Sequence, residues 1–516
     1  MRPYTRLWLK GSIQALLVAA LLCLVYYLLR LPNRYLPLAY YDDGETLYHT
    51  LSILLGRVPY RDDWNHHFAG YLLPFVLAGR LLGFSAGLMH VVPFIAHVLT
   101  AIGVFLCLRF FTPLWLAFFG AVLALSARQP WVLGFYPQYE INPLWVFSLF
   151  LSLCYLDRRK EAFLQGAFLL IGLAFTFDQR AIFLALIPAC ALALRLKDLG
   201  RGPGPLAVSC LAGFALPSAA GLFYLWFYDA LQPFWQQTII FPSLYRSGSQ
   251  SWLDLVWQWV FIHRYLLTET AILLVAALGG FVVLWREIRS SRPRDRALRR
   301  LILLSAVPLA IMPLFGARDF DYYTATWLPY LAILAVLPAC PQKGFPPLLR
   351  RTFCCLLALA VIFPLGQSWY HRNTYRDAFL RGDGMREVLE YLRSNMQKED
   401  TFFVWGYRFD PYVHLARTAP FPFANQIFVH PDNAIKGDKK RLQHVYPAYE
   451  KIFTTSLHQQ PPDYLIIFDR EQEKKEFSPA NRKVLALAED RYNLVLSTRG
   501  KDFLNKDIFF KLYHLK

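Results

Sequence analysis

Eleven long apolar runs divide the first 370 residues, and they restrict this chain more than any other feature. They fall at 11–31, 88–110, 113–128, 140–156, 162–177, 181–195, 204–228, 262–285, 299–316, 322–341 and 352–370. Backbone amides in hydrocarbon find no water, so they must bond to one another, and isolated runs of this kind do so as helices. Apolar residues make up 56% of the 516 and the mean hydropathy is +0.30, more than a water-soluble globule needs for its core. The expected fold class is an all-α polytopic membrane domain with about eleven transmembrane helices. The run at 11–31 exceeds a signal-peptide core and lacks a small-residue cleavage site, so it is expected to stay as the first span.

Charge orients the runs. Arg2, Arg6 and Lys10 precede the first span and place the N-terminus in the cytoplasm. The loops on that side then carry Arg109; Arg158, Arg159 and Lys160; Arg195, Lys197 and Arg201; and Lys343, Arg350 and Arg351. Between Arg286 and Arg300 there are seven arginines against two acids. With an odd span count the chain is expected in the cytoplasmic (inner) membrane with its tail extracytoplasmic. The net charge of +18 is spread over short loops instead of one basic face, which argues against a nucleic-acid partner. All eight cysteines lie in apolar runs, so the tail has neither a disulfide framework nor a Cys-based metal site.

From residue 371 the pattern changes, giving domains at 1–370 and 371–516. GMREVLEYLRSNM predicts an amphipathic helix, TFFVWGY a strand and PDYLIIFD a buried strand. NRKVLALAEDRYNLVLS predicts helix into strand, and DIFFKLYHL a closing strand. The tail is therefore expected to be a small α/β domain. Residues 417–437 and the helix-like RLQHVYPAYEKIFTTSL interrupt it, as a lid or as ordinary connections.

The chemistry concentrates in the first external loop, 32–87. Its segment YYDDGETLYHTLSILLGRVPYRDDWNHHF brings Asp42, Asp43, Glu45, Asp62 and Asp63 together with His49, His66 and His67. Carboxylates beside a bilayer are costly to desolvate, so such a cluster usually serves a cation, a proton transfer or a polar substrate. Leu47, Leu51, Leu54 and Leu55 repeat at helical spacing, which predicts an amphipathic helix in the interface with Asp42 and Asp43 at its start.

The order Asp42-Asp43-Gly44-Glu45, then Gly56-Arg57-Val58-Pro59-Tyr60-Arg61-Asp62, then His66-His67 and Leu82-Gly83-Phe84, resembles the type C glycosyltransferases. The nearest group is similar to bacterial relatives of the protein O-mannosyltransferases and the lipid A aminoarabinose transferases. Two departures stand out: Asp43 replaces the usual Glu, and Phe68-Ala69-Gly70 replaces the proline after the histidine. Weaker matches are YPQYEINPLWVF with Glu140, FDQRAIFLALIP with Arg180, FGARDFDYYTATWLPYLAIL with Arg318 and Tyr322, and VWGYRFDPYVHLARTAP.

The resemblance implies transfer of a sugar from a polyprenyl-phosphate donor to an extracytoplasmic lipid, glycan or protein. Such a reaction needs a base for the acceptor and positive charge for the departing phosphate. Asp42 matches the family's first acid and is the expected general base, with Asp43 next. Glu45, Tyr60, Asp62, His66, His67, Glu140, Arg180, Arg318 and Tyr322 are the expected substrate-binding residues, Arg180 and Arg318 for the phosphate. Glu140 with Asp42 or Asp43 offers hard oxygen ligands to a divalent cation such as Mg or Mn, which is left open. Trp64 and Tyr41 are candidates for stacking on sugar. The competing class is a transporter or flippase of an anionic lipid, which favours charges near the midplane and related halves. The runs here are nearly free of charge.

Overall fold

The computed structural model describes residues 11–30, 41–126, 137–196, 204–245, 252–290, 292–315, 321–340, 346–424, 446–470, 479–501 and 507–516. The N-terminal part is helical throughout: α1 Gly11–Arg30, α2 Tyr41–Leu54, α3 Leu73–Leu82, α4 Leu88–Leu108, α5 Leu114–Ser126, α6 Pro137–Arg158, α7 Glu161–Phe177, α8 Leu186–Ala193 and α9 Gly204–Phe227. Helices Trp252–Glu269, Ala271–Ser290, Pro293–Leu304, Trp327–Val336 and Pro347–Arg381 follow. Among the described residues six helices are long and apolar enough to cross a membrane, and shorter apolar helices stand beside them.

Helix α6 is central, with Trp145, Leu149 and Leu153 buried against α4 and α7. Helix α9 behaves differently: its apolar window has a mean hydropathy of 1.8, yet only 11% of it is buried inside the protein. Such a helix needs a hydrocarbon environment, and the chain is an integral membrane protein. Small residues let neighbouring helices close up. At Gly172 of α7 a Cβ would lie 2.1 Å from the Phe214 carbonyl oxygen of α9.

Two expectations shift. The run at 262–285 divides at Thr270, and the membrane-length helix is Ala271–Ser290. The stretch before it carries Asp254, His263, Arg264 and Glu269, whose cost its apolar neighbours mask in the sequence. The last run extends into a 35-residue helix, Pro347–Arg381. At 1.5 Å per residue it is about 52 Å long, so it outruns about 30 Å of hydrocarbon and carries the chain into the tail. Gly382 (φ 68°) and Gly384 (φ 85°) then take the left-handed turn that ends it.

The tail has the expected order. After the amphipathic helix Met385–Asn395 come β1 Phe402–Trp405, β2 Tyr464–Arg470, β3 Tyr492–Lys501 and β4 Asp507–Leu515. The sheet order is β1-β2-β4-β3, with β1 parallel to β2 and the other pairs antiparallel. Helices Asp410–Leu415 and Tyr446–Gln459 lie on the crossover between β1 and β2; of the two segments that the sequence reading assigns to a lid or connection, residues 425–437 and 441–445 fall outside the described residues. The tail's core is continuous with the first loop: Tyr48, Trp64 and Phe241 are buried with Phe402, Phe409, Tyr412 and Phe421. Tyr48 meets Tyr412 at 5.1 Å between ring centroids, and the Trp64 amide donates to the Pro422 carbonyl at 2.8 Å.

Candidate functional site

Helix α2 is the floor of this junction. Its first turn holds Asp42 and Asp43, where the positive end of the helix dipole favours carboxylates. From there nearly every residue is buried: Asp43, Glu45, Thr46, Leu47, Tyr48, His49, Thr50, Leu51 and Ser52. The expected amphipathic helix on the membrane surface is thus a helix enclosed on all sides, with α3 on one flank and the tail on another. Thr50 is satisfied by donating to the Thr46 carbonyl at 2.8 Å, and Glu45 pairs with His49.

The i, i+4 spacing puts His49 one turn below Glu45, with His49 Nε2 3.6 Å from Glu45 Oε1. The other imidazole nitrogen, Nδ1, lies 2.6 Å from Asp63 Oδ2. Burial alone would lower the His49 pKa, but the charges and hydrogen bonds of Asp63 and Glu45 outweigh it and raise it to about 10. Burial would likewise raise Glu45, yet the His49 hydrogen bond and neighbouring histidine charge hold it at about 2. At neutral pH this is an imidazolium between two carboxylates.

Above it stands a residue from the tail. Tyr407 Oη lies 2.5 Å from Asp42 Oδ1 and 2.8 Å from Glu45 Oε2. Burial and the two flanking carboxylates push this phenol well above its usual range, so it stays a neutral donor. Asp42 is partly exposed, whereas Asp43 is only 5% exposed. Of the two adjacent acids, Asp42 is the more exposed.

The Gly-x-x-Pro-Tyr-x-Asp segment shapes the loop. Gly56 (φ 86°) and Tyr60 (φ 68°) take left-handed conformations, and Asp62 Oδ2 accepts from the Val58 amide at 2.9 Å. Asp62 also pairs with Arg61. The Tyr60 hydroxyl donates to the His67 carbonyl (3.0 Å) and accepts from the Ala69 amide (2.6 Å). Both residues are thus engaged in holding the turn that delivers Asp63 to His49. Trp64, a sugar-stacking candidate, is 4% exposed and packs edge-on against Phe241 at 4.9 Å, so it is a core residue of the junction.

His66 and His67 stand with ring centroids 3.8 Å apart, and Tyr71 is 6.1 Å from His67. Asp178 caps the turn Gln179–Ala185 by accepting from the Arg180 amide at 2.8 Å. Its carboxylate also takes the Arg180 Nε at 2.9 and 3.1 Å and the Nη2 group. The guanidinium lies 4.0 Å from the centre of the Tyr323 ring, a cation–π contact. Burial lowers the His67 pKa, with the Asp178 and Arg180 charges acting on it in opposite directions.

Glu140, at the start of α6, is 3% exposed and neither carboxylate oxygen has a hydrogen-bond partner. It does not join Asp42 and Asp43 as a ligand set; no three His, Cys, Asp or Glu side chains among the described residues are grouped to hold a metal. The Asp42 carboxylate is turned to Tyr407. Arg318 lies outside the described residues, as do the side chains of Tyr41 and Tyr322.

Three participants were absent from the sequence-based site. His49 and Asp63 were visible only as members of a charged cluster, although the Glu45–His49 spacing was a local signal. Tyr407 has no local signal, being 365 residues from Asp42.

No family model matches this chain and no curated protein matches it. Solved structures do. ArnT from Cupriavidus metallidurans bound to undecaprenyl phosphate matches with a TM-score of 0.56 at 14% identity, over 97% of this chain and 98% of that one. The same protein in the apo state matches with a TM-score of 0.58 at 11% identity, over the same shares. At such identities the likeness concerns the fold, and it runs nearly end to end. The chain has the fold of the type C polytopic membrane glycosyltransferases.

Proposed function

We propose that this protein transfers a sugar from a polyprenyl-phosphate donor to an extracytoplasmic acceptor, a glycolipid, glycan or protein. The observation that carries the reading is Asp42: a partly exposed carboxylate at a helix N-terminus, backed by a buried ionic network at the junction of bundle and tail. The end-to-end likeness to a protein solved with undecaprenyl phosphate supports the donor class. The positive loops support a cytoplasmic N-terminus in the inner membrane, with the tail and the site outside.

In this reading Asp42 takes the proton from the acceptor hydroxyl or amine. The freed lone pair attacks the anomeric carbon, the bond from that carbon to the phosphate oxygen breaks, and polyprenyl phosphate leaves with the electron pair. Asp43 and Glu45 keep the surroundings anionic. His66, His67 and Arg180 would face the phosphate, with Asp178 orienting the guanidinium. Tyr60 and Asp62 act by holding the loop. Asp42, Asp43 and Glu140 are not grouped to hold a divalent cation, and no step is assigned to one.

The test is purified protein incubated with polyprenyl-phosphate mannose or polyprenyl-phosphate aminoarabinose and a total membrane extract as acceptor. Free polyprenyl phosphate should accumulate with time and protein concentration; its absence with every donor sinks the reading.

Arg180 gives a second expectation. A charge-assisted contact to phosphate contributes about 1.5–3 kcal/mol, so Arg180→Ala should lower kcat/KM for the donor by about ten- to a hundredfold. Arg180→Lys should recover part of it, since it keeps the charge without the planar fork. Unchanged donor affinity and turnover in Arg180→Ala would reduce Arg180 to a structural partner of Asp178.

A further inference from the structure

We propose that Tyr407 is a positioning residue that turns its hydroxyl proton from Asp42 to Glu45 during the reaction, so that the tail domain completes the catalytic site. The inference rests on the glycosyl-transfer reading above and adds to it a part for the tail.

The geometry poses a counting problem. One phenol oxygen lies within hydrogen-bond distance of two carboxylates, at 2.5 Å from Asp42 and 2.8 Å from Glu45, and it has one proton. It can donate to only one of them at a time. Before reaction, with Asp42 ionised, donation to Asp42 fixes its rotamer and stabilises its charge. Once Asp42 carries the acceptor's proton it becomes a donor itself and can give that hydrogen to the phenol oxygen. The phenol proton then turns to Glu45, which remains an anion because the His49 imidazolium, held in turn by Asp63, faces its other oxygen. No net charge moves along the chain: the acceptor's proton stays on Asp42, and the Tyr407 O–H rotates without breaking.

Aromatic packing holds Tyr407 against α2. The Tyr407 ring packs edge-on against Phe409 at 5.4 Å, and Phe409 packs on Tyr48 of α2 at 5.8 Å. The charged and titratable groups facing the pair are His49 on α2, with Asp63 behind it, and His66 and His67 in the loop that follows; Asp43 is the chain neighbour of Asp42. Loss of the hydroxyl would leave Asp42 and Glu45 as facing carboxylates with nothing between them. Such a pair shares a proton, and one pKa of the pair rises.

The test uses the full-length protein and the release of polyprenyl phosphate from the same two donors. Asp42→Asn, Tyr407→Phe and a protein carrying 3-fluorotyrosine at position 407 are compared with wild type. Tyr407→Phe should lose about ten- to a hundredfold in kcat. Its KM for the donor should stay within about twofold, since no contact to the donor is removed. The acid limb of its pH–rate profile should move up by about one unit or more. The fluorinated phenol, nearly the same size and a stronger donor, should move that limb the other way. Because it preserves the packing, it decides the matter even if Tyr407→Phe does not fold. Active wild type with both Tyr407 variants showing unchanged kcat and pH profile overturns the role of Tyr407 alone. Wild type that releases no polyprenyl phosphate overturns the transfer reading and this inference together.

Discussion

Asp42→Asn is expected to lose at least about a hundredfold in transfer rate, the usual cost of removing a general base. Its apparent Tm should stay close to wild type. The amide has the shape of the carboxylate, and its carbonyl oxygen still accepts from Tyr407, so packing at the junction survives. What disappears is the charge that takes the acceptor's proton. Asp43→Asn should cost less, because that carboxylate is buried at 5% exposure beside the partly exposed Asp42. Activity of Asp42→Asn within about threefold of wild type would move the base to Asp43. The comparison needs only the release assay and a melting curve for each variant.

The second large effect is on stability. His49 is the cation of a buried triad, between Asp63 at 2.6 Å and Glu45 at 3.6 Å. Removing one partner of a buried ionic group leaves the other charges uncompensated, which costs about 3–5 kcal/mol. His49→Ala should therefore lower the apparent Tm markedly and expose the tail–loop junction to protease. The pH dependence follows from the two shifted groups. His49 is raised from 6.5 to about 10, so its contribution is complete below 6.5 and is lost as pH rises through 10. Glu45 is lowered from 4.5 to about 2, so its contribution is complete above 4.5 and is lost as pH falls through 2. The two shifts describe one shared interaction and do not add. Wild type should be most stable between about pH 4.5 and 6.5 and should weaken progressively above that; His49→Ala should lose the alkaline slope. Equal slopes in both proteins would show that His49 is not the buried cation.

The architecture was largely legible because it depends on local patterns. Ten of the apolar runs read from the sequence coincide with helices or short helical segments, and the four strands of the tail appear where β-branched and aromatic residues cluster. The error at 262–285 arose where His263, Arg264 and Glu269 sit in an otherwise greasy stretch. The enclosed state of α2 was not legible: leucines at helical spacing announce one buried face, and nothing local says that its polar face is covered by the tail. The same holds for the site. Asp42, Asp43 and Glu45 are neighbours in sequence and stand out, and the Glu45–His49 spacing could have been read from helical geometry. Tyr407 could not, since only the docking of β1 and the turn after it onto α2 brings the phenol to Asp42. The Asp178 partner of Arg180 lies two residues away, yet pairing depends on the tight turn Gln179–Ala185, which an apolar run conceals.

The most direct measurement places the purified protein in liposomes with a sugar-labelled polyprenyl-phosphate donor and a membrane-extract acceptor, and follows both the label and the lipid. Wild type should release free polyprenyl phosphate and attach an equal amount of labelled sugar to the acceptor, and Asp42→Asn should do neither. Intact donor that crosses between leaflets without being cleaved, at the same rate in both proteins, would contradict glycosyl transfer and identify the chain as a lipid translocator.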